Sequence, residues 1–151
     1  MTRILLLAHK PLASALRDVA THVFPDCAGG VSAIDVDALT TPDALEALLR
    51  ERIEADRPEE VLILVDVFGA TPCNAAMRVA DGARVRVVAG VNVPMLWRTL
   101  CYRTEALSTL VERALAGAVQ GVMHVAETRR QNQSTPGGST SNDQVQHSHQ
   151  Q

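Results

Sequence analysis

The chain has 151 residues, 46% of them hydrophobic and 21% charged, which is the composition of one globular domain. Its formal net charge of −3 argues against nucleic-acid binding, and no apolar run approaches the roughly 20 residues that cross a bilayer. The three cysteines show no CxxC spacing, so they indicate neither a disulfide framework nor a zinc site. The apolar N-terminal run is too short for a signal peptide. We therefore expect a cytoplasmic domain without direct membrane insertion.

The composition changes near Arg129. Residues 129–151 contain almost no apolar side chains, and such a segment cannot bury enough surface to offset the entropy lost on folding. We predict a folded domain over residues 1–128, followed by a disordered polar tail over residues 129–151.

Short apolar runs alternate with helix-like segments through the predicted domain. This alternation predicts an α/β fold, a doubly wound and mostly parallel sheet with helices on both faces. We expect the flavodoxin-like strand order 2-1-3-4, which the pattern alone does not fix. The predicted strands are residues 3–8, 31–36, 61–65, 85–89 and, shorter, 121–126.

Threonine and proline mark two predicted helix starts. Thr41 and Thr71 are each placed as an N-cap, with Pro42 and Pro72 at the first helical position. The helix after Pro72 is predicted to end near residue 79, and two further helices are predicted at residues 92–101 and 105–118. The first two helices have predicted apolar faces formed by Leu12, Leu16, Val19, Ala20 and Val23, and by Leu45, Leu48, Leu49 and Ile53.

His9 follows the first predicted strand, and Asp66 follows the third. In the order 2-1-3-4 these strands are neighbours, and sites in open α/β sheets lie beyond the carboxyl ends of the strands where the order reverses. A carboxylate that accepts a hydrogen bond from one imidazole nitrogen fixes the tautomer and leaves the other nitrogen with a lone pair for attack. His9 and Asp66 are therefore the candidate catalytic residues, with the neutral imidazole as nucleophile.

The loop after Asp66 has the features of an anion site. Gly69 allows close backbone approach, Thr71 offers a hydroxyl, and the N–H groups of the next helix start point outward with the positive end of its dipole. We place Gly69, Ala70 and Thr71 as phosphoryl-binding residues, and with the histidine they suggest phosphoryl transfer. Each feature alone also has a simpler explanation: a solvated histidine, a turn-capping aspartate or an ordinary helix start.

Three stretches carry a family resemblance: residues 4–9, residues 64–76 (LVDVFGATPCNAA) and residues 89–96 (AGVNVPML). In order and spacing they resemble the enzyme IIA domain of the mannose-type (mannose/fructose/sorbose) sugar phosphotransferase system, over most of residues 1–128. A similar domain serves the multiphosphoryl transfer protein of dihydroxyacetone kinases, so the resemblance leaves the downstream acceptor open.

The resemblance implies a phosphotransferase that works through a phosphohistidine and needs no metal or other cofactor. His9 would accept a phosphoryl group on Nε2 from the phosphocarrier protein HPr and pass it to a IIB component. Asp66 matches the carboxylate that holds the other ring nitrogen, and Thr71 lies where the family usually has a serine. The family is a homodimer that exchanges its last strand, which would make residues 121–126 a short antiparallel edge strand in the partner's sheet.

This chain departs from the family pattern beside the histidine. The family often has glycine there, where this chain has Lys10 and Pro11. Lys10 either strengthens the attraction of an incoming phosphoryl group or alters the approach of HPr. Met95, Leu96 and Trp97 are interpreted as helix packing, or alternatively as an apolar rim near the site that docks HPr. The resemblance covers a IIA domain alone, so we expect the IIB component on a separate chain.

A second hypothesis is regulatory. The same His9 chemistry would report the phosphorylation state by binding a regulatory protein, without serving sugar transport, and the sequence does not separate the two roles. A receiver-like domain phosphorylated on Asp66 is disfavoured, because the first strand ends without the acidic pair that holds Mg²⁺. A dinucleotide-binding domain is disfavoured because no G-x-G-x-x-G follows that strand.

Overall fold

The computed structural model of the chain describes residues 1–126. The predicted tail over residues 129–151 lies outside the described residues, as do the last two residues of the predicted domain. The strands are β1 (Arg3–His9), β2 (Val31–Val36), β3 (Val61–Val65) and β4 (Val85–Ala89). The helices are α1 (Leu12–Val23), α2 (Pro42–Ala55), α3 (Thr71–Val79), α4 (Val93–Tyr102) and α5 (Leu107–Gln120), with a 3₁₀ turn at Ala28–Gly30.

The four strands form one parallel sheet in the order β2-β1-β3-β4, which confirms the predicted order. β1 pairs with β2 as far as His9 opposite Val36, and with β3 as far as Leu7 opposite Val65. All five residues of β3 are buried, as expected of a central parallel strand. The carboxyl ends of β1 and β3 therefore lie side by side where the strand order reverses.

Side chains along β1 alternate between two hydrophobic cores on opposite faces of the sheet. Ile4 and Leu6 belong to the core that is covered by α1, α4 and α5. Leu5 and Leu7 belong to the core that is covered by α2 and α3. Helices on both faces confirm the predicted doubly wound architecture.

The predicted apolar face of α1 is wrong in part. Its buried residues are Ala13, Leu16 and Ala20, which recur at helical spacing. Leu12, Val19 and Val23 are instead 40%, 38% and 41% exposed. Alanine spacing lets α1 lie close to the sheet, so the helix turns its small residues inward and its larger ones partly outward. In α2 the predicted face is buried at Leu45, Leu49 and Ile53, while Leu48 is 46% exposed.

Helix starts agree with the predicted caps at one site and differ at the other. The Thr41 hydroxyl accepts a hydrogen bond from the Ala44 N–H at 3.3 Å, so Thr41 caps α2 as predicted. Thr71 is not the N-cap of α3, because the cap position is Ala70 and Thr71 is the first helical residue. The Ala70 carbonyl already accepts the first helical hydrogen bond, from the Asn74 N–H at 2.9 Å. Proline is thus accommodated at the second helical position of α3.

The predicted last strand at residues 121–126 is not formed in this chain. Gly121 lies in a turn, residues 122–124 have no regular secondary structure, and residues 125–126 are helical. The Gly121 and Val122 N–H groups donate back to Gly117 and Val119 of α5, so the backbone leaves the helix in a turn rather than an extended strand. Among residues 1–126, no helix has the length and hydropathy of a membrane span.

Candidate functional site

His9 and Asp66 meet at the carboxyl edge of the sheet. β1 ends at His9, and Asp66 is the first residue after β3. The ring Nδ1 of His9 lies 2.6 Å from Oδ2 of Asp66, and the backbone N–H of His9 donates to the same oxygen at 3.0 Å. The structure therefore brings together the two residues that the sequence singled out as catalytic candidates.

Hydrogen bonds hold the Asp66 carboxylate in its ionised form. Its side chain is 11% exposed, and this burial raises the pKa of the carboxyl. Donors from the His9 backbone, the His9 ring and the Val67 backbone outweigh the burial, so the pKa of Asp66 lies below its ordinary value. The Val67 N–H donates to Oδ1 at 2.8 Å. Asp66 is consequently a fixed, charged acceptor at neutral pH.

The ionised carboxylate determines the chemistry of the imidazole. Asp66 can only accept hydrogen bonds, so the 2.6 Å contact assigns the proton of a neutral His9 to Nδ1. Nε2 then carries the lone pair. The His9 side chain is 54% exposed, so the imidazole is open to a partner from solvent. The arrangement suits nucleophilic attack by Nε2, with Asp66 stabilising the positive charge that the ring acquires.

The loop between Asp66 and α3 forms a backbone surface for an anion. Gly69 has φ +85°, a left-handed backbone conformation that residues other than glycine rarely adopt. The Asn74 amide donates to the Gly69 carbonyl at 3.2 Å and holds the loop against α3. Because the first helical hydrogen bond comes from the Asn74 N–H, the N–H groups of Thr71 and Cys73 precede the helical ladder. They lie at the positive end of the helix dipole, where anions bind favourably.

The three predicted phosphoryl-binding residues thus occupy one short turn. Gly69 is its left-handed residue, Ala70 is the N-cap of α3, and Thr71 is the first helical residue. Thr71 is half-buried, with its backbone N–H at the helix start. The contact of each residue with a phosphoryl group stays a prediction.

Asp35 supports the site and was missed by the sequence analysis. It lies on β2 and accepts a hydrogen bond from the Ser14 N–H of α1 at 3.0 Å. Burial raises the pKa of Asp35, but hydrogen bonds from Ser14 and Ala13, with the nearby Lys10 charge, outweigh it and lower the pKa. Asp35 therefore stabilises the start of α1, the helix that follows His9 and Lys10. The sequence feature that could have identified Asp35 is its position near the end of β2, the strand beside β1.

A second missed feature connects β4 to the site. Gly90 has φ +87°, and the N–H groups of Gly90 and Val91 both donate to the Val65 carbonyl at 3.0 Å. Val65 directly precedes Asp66, so this turn ties the loop after β4 to the residue before the catalytic carboxylate. The glycine within AGVN, directly after a predicted strand, was the signal for such a turn.

The alternative interpretation of Met95, Leu96 and Trp97 as an apolar rim near the site is wrong. Met95 and Leu96 are 1% and 0% exposed and belong to the core, which confirms their interpretation as helix packing. Trp97 packs edge-to-face on Phe24, with ring centroids 6.0 Å apart. Phe24 directly follows α1, whose start lies at the site and whose end lies at the opposite edge of the sheet.

Solved structures share this fold. A phosphotransferase system component EIIA from Streptococcus agalactiae superposes with a TM-score of 0.74 and 21% identity, covering 84% of this chain and 99% of that chain. A mannose/sorbose specific IIA subunit from Enterococcus faecalis superposes with a TM-score of 0.75 and 21% identity, covering 82% of this chain and 93% of that chain. At these identities the likeness shows the fold alone.

Similarity in sequence extends to named relatives. A fructose-specific EIIA component from Bacillus subtilis is 40% identical over 88 residues, which are 53% of this chain and 60% of that protein. A mannose-specific EIIAB component from Escherichia coli K12 is 43% identical over 70 residues, which are 44% of this chain and 22% of that protein. The chain thus matches less than two thirds of the length of either relative. The family described as PTS system fructose IIA component matches residues 3–115, so the chain belongs to the mannose-type family of phosphotransferase-system IIA components.

Proposed function

We propose that the chain is a phosphoryl carrier of the phosphoenolpyruvate-dependent sugar phosphotransferase system. It accepts a phosphoryl group from HPr on Nε2 of His9 and passes it to a IIB component, both in the cytoplasm. The observation that carries the proposal is the 2.6 Å contact between Nδ1 of His9 and Oδ2 of Asp66. That contact leaves Nε2 as the free nucleophile on an exposed ring.

The transfer exchanges one phosphorus–nitrogen bond for another. The lone pair of His9 Nε2 attacks phosphorus, and the bond to the donor imidazole breaks with its electron pair returning to the donor. His9 keeps its Nδ1 proton, so the phosphorylated ring is cationic. The Asp66 carboxylate, whose pKa is lowered mainly by the His9 and Val67 hydrogen bonds that overcome its burial, stabilises that cation.

The loop after Asp66 is proposed to hold the phosphoryl oxygens. The N–H groups of Thr71 and Cys73 and the Thr71 hydroxyl are suited to this role, since they lie at a helix start where the dipole favours negative charge. Gly69, with its left-handed backbone, lets the chain turn between Asp66 and the start of α3. Charge that develops on the oxygens in the transition state is stabilised by such fixed donors.

We also propose a homodimer. The end of the described chain presents apolar side chains to solvent: Val119, Val122, Met123 and Val125 are 60–76% exposed. β4 is an edge strand of the sheet, with backbone groups available for a further strand. Pairing of residues 121–126 with β4 of a partner would cover both features, and it requires that segment to become extended in the dimer.

The carrier proposal is tested by intact-mass spectrometry after incubation with enzyme I, HPr and phosphoenolpyruvate. The native chain is expected to gain one acid-labile phosphoryl group. His9→Ala is expected to gain none, whereas His22→Ala, which changes an exposed histidine of α1, is expected to behave as the native chain.

Addition of a IIB protein is expected to remove the phosphoryl group from the phosphorylated chain. Absence of any gain with a cognate HPr would overturn the relay. A stable phosphorylated chain that no IIB protein can discharge would favour the regulatory sensor instead.

A further inference from the structure

A polar cavity lies at the amino edge of the sheet, opposite the edge that carries His9. Its volume is about 170 Å³, and its lining residues are 1–3, Gly29, Gly30, Glu59 and Arg103. These residues stand just before or at the start of β1, β2 and β3, or directly after α4. β1 has seven residues, so the cavity and His9 lie about 20 Å apart along this strand. No step proposed for His9 uses the cavity.

The guanidinium of Arg103 lies at this cavity with a hydrogen-bond donor unused. Its Nη1 is buried and has no hydrogen-bond partner among residues 1–126. The backbone carbonyl of Arg103 accepts from the Thr2 N–H at 3.2 Å, so the residue is fixed to the segment that precedes β1. A buried donor without an acceptor is costly, and more so on a charged group. A ligand that supplies an acceptor here is therefore bound favourably.

The carboxylates beside the cavity are engaged with other groups. Glu59 lies 2.8 Å from the Met1 ammonium, and Glu60 accepts from the Thr2 hydroxyl at 3.5 Å. None of the ion pairs within residues 1–126 includes Arg103. Arg103 is partly buried, and a cation removed from water is stabilised by an ionic partner. The unpaired guanidinium favours an anion over a neutral ligand.

Gly30 leaves the space that the guanidinium occupies. A Cβ added to Gly30 would overlap Nη1 of Arg103, whereas a Cβ added to Gly29 would meet no atom within 4 Å. Because Nη1 is the end of a flexible side chain, Gly30→Ala would displace the guanidinium rather than the backbone. Adjacent glycines thus provide one variant that disturbs the guanidinium and one matched control.

We propose that this cavity binds a small oxyanion on the guanidinium of Arg103. A planar guanidinium presents parallel N–H donors that match the oxygens of a phosphate or carboxylate group. The volume of 170 Å³ far exceeds the roughly 10–15 Å³ that a single water molecule needs. The oxyanion neutralises Arg103 and stabilises the junction between the end of α4 and Thr2. This inference does not depend on the proposed role of His9.

The test is a titration of the full nitrogen-15-labelled chain with inorganic phosphate at constant ionic strength, followed through backbone amide signals. The signals of Gly29 and Thr2 are expected to shift and to saturate. Arg103→Met removes the charge and the donors, and is expected to weaken the binding measured at these amides about tenfold or more. Arg17→Met changes a 44% exposed arginine of α1 and is expected to leave the binding within twofold.

The glycine variants test the position of the guanidinium with Arg103 itself unchanged. Gly30→Ala is expected to weaken phosphate binding at the Thr2 amide at least threefold, and Gly29→Ala is expected to leave it within twofold. The Thr71 amide reports phosphate near His9 separately, and its shift is expected to be the same in Arg103→Met as in the native chain.

Two results would overturn the inference. One is the absence of a saturable shift at Gly29 and Thr2 in the native chain. The other is an equal shift at these amides in Arg103→Met, because phosphate would then act on the chain without the guanidinium. If Arg103→Met does not fold, Gly30→Ala decides, and unchanged binding in that variant contradicts the proposed site.

Discussion

Both the backbone N–H and the ring Nδ1 of His9 point at a single oxygen, Oδ2 of Asp66, at 3.0 and 2.6 Å. The backbone contact places the residue, and the ring contact places the imidazole. Because both donors belong to one residue, a small shift of β1 against β3 would disturb them together. The parallel register of these two strands is thus what positions Nε2.

Asp66→Asn is predicted to slow phosphorylation of His9 by roughly a hundredfold or more. The amide removes the charge that stabilises the phosphorylated ring, and its nitrogen can donate to Nδ1 and favour the wrong tautomer. Initial rates of phosphoryl gain from HPr, followed by mass spectrometry, measure the effect. Asp18→Asn alters a 72% exposed carboxylate on α1 and is expected to leave the rate within twofold. A rate for Asp66→Asn close to that of the native chain would contradict the assigned role.

Stability is predicted to depend on pH through Asp66. Folding lowers the pKa of this carboxyl below its ordinary value of 3.8, because the His9 and Val67 donors outweigh the effect of burial. A lowered pKa stabilises the fold fully above the unfolded pKa, and the stabilisation is lost as pH falls through the folded pKa. Urea unfolding is therefore expected to show a larger deficit for Asp66→Asn at pH 7 than at pH 3. A stability deficit of Asp66→Asn that is larger at pH 3 than at pH 7 would contradict this prediction.

Asp35→Ala is predicted to lower the free energy of unfolding by about 1 kcal/mol, the typical cost of a lost cap. The Ser14 N–H at the start of α1 loses its acceptor, and the helix that follows His9 is held less firmly. Urea denaturation measures the change, with Asp18→Ala on the same helix as the control. Equal stability of both variants would show that α1 does not depend on Asp35.

Gly69→Ala is predicted to destabilise the fold by about 1 kcal/mol and to slow phosphoryl transfer. The cause is the backbone, since φ is +85° and a Cβ at this position meets no atom within 4 Å. Gly29→Ala is the matched control, because its Cβ also meets nothing within 4 Å and its φ lies outside the left-handed region. Thermal unfolding and transfer rates of the two variants are compared. Equal unfolding temperatures and equal transfer rates for the two variants would show that the left-handed backbone of Gly69 is not required.

Sequence patterns predicted the sheet well because its strands are short, apolar and separated by capped helices. The predicted bounds of β2, β3 and β4 match the structure, and β1 extends one residue further, to His9. The strand order was expected as the flavodoxin-like one and was not fixed by the pattern, since apolar runs carry no information about which strands are neighbours. His9 and Asp66 were found because each directly follows a strand.

Contacts between elements determined the features that the sequence patterns did not predict. Leu12 and Val19 fit the helical period of α1, but the closer approach of Ala13 and Ala20 to the sheet turned them outward. Asp35 was not singled out because its role depends on a contact with a residue 21 positions away. The segment 121–126 has a strand-like composition, but among residues 1–126 it pairs with no strand, and its first two N–H groups donate back to α5 instead.

Nitrogen-15 NMR of the histidine side chains tests the central claim most directly, namely that Asp66 holds Nδ1 and leaves Nε2 to react. The chain is labelled at histidine nitrogen, phosphorylated through HPr, and compared with His9→Ala to assign the His9 signals. We predict a protonated Nδ1 before and after phosphorylation, with the phosphoryl group coupled to Nε2. A phosphoryl group on Nδ1 of His9 would contradict the account, because that nitrogen would have to leave Asp66 to react.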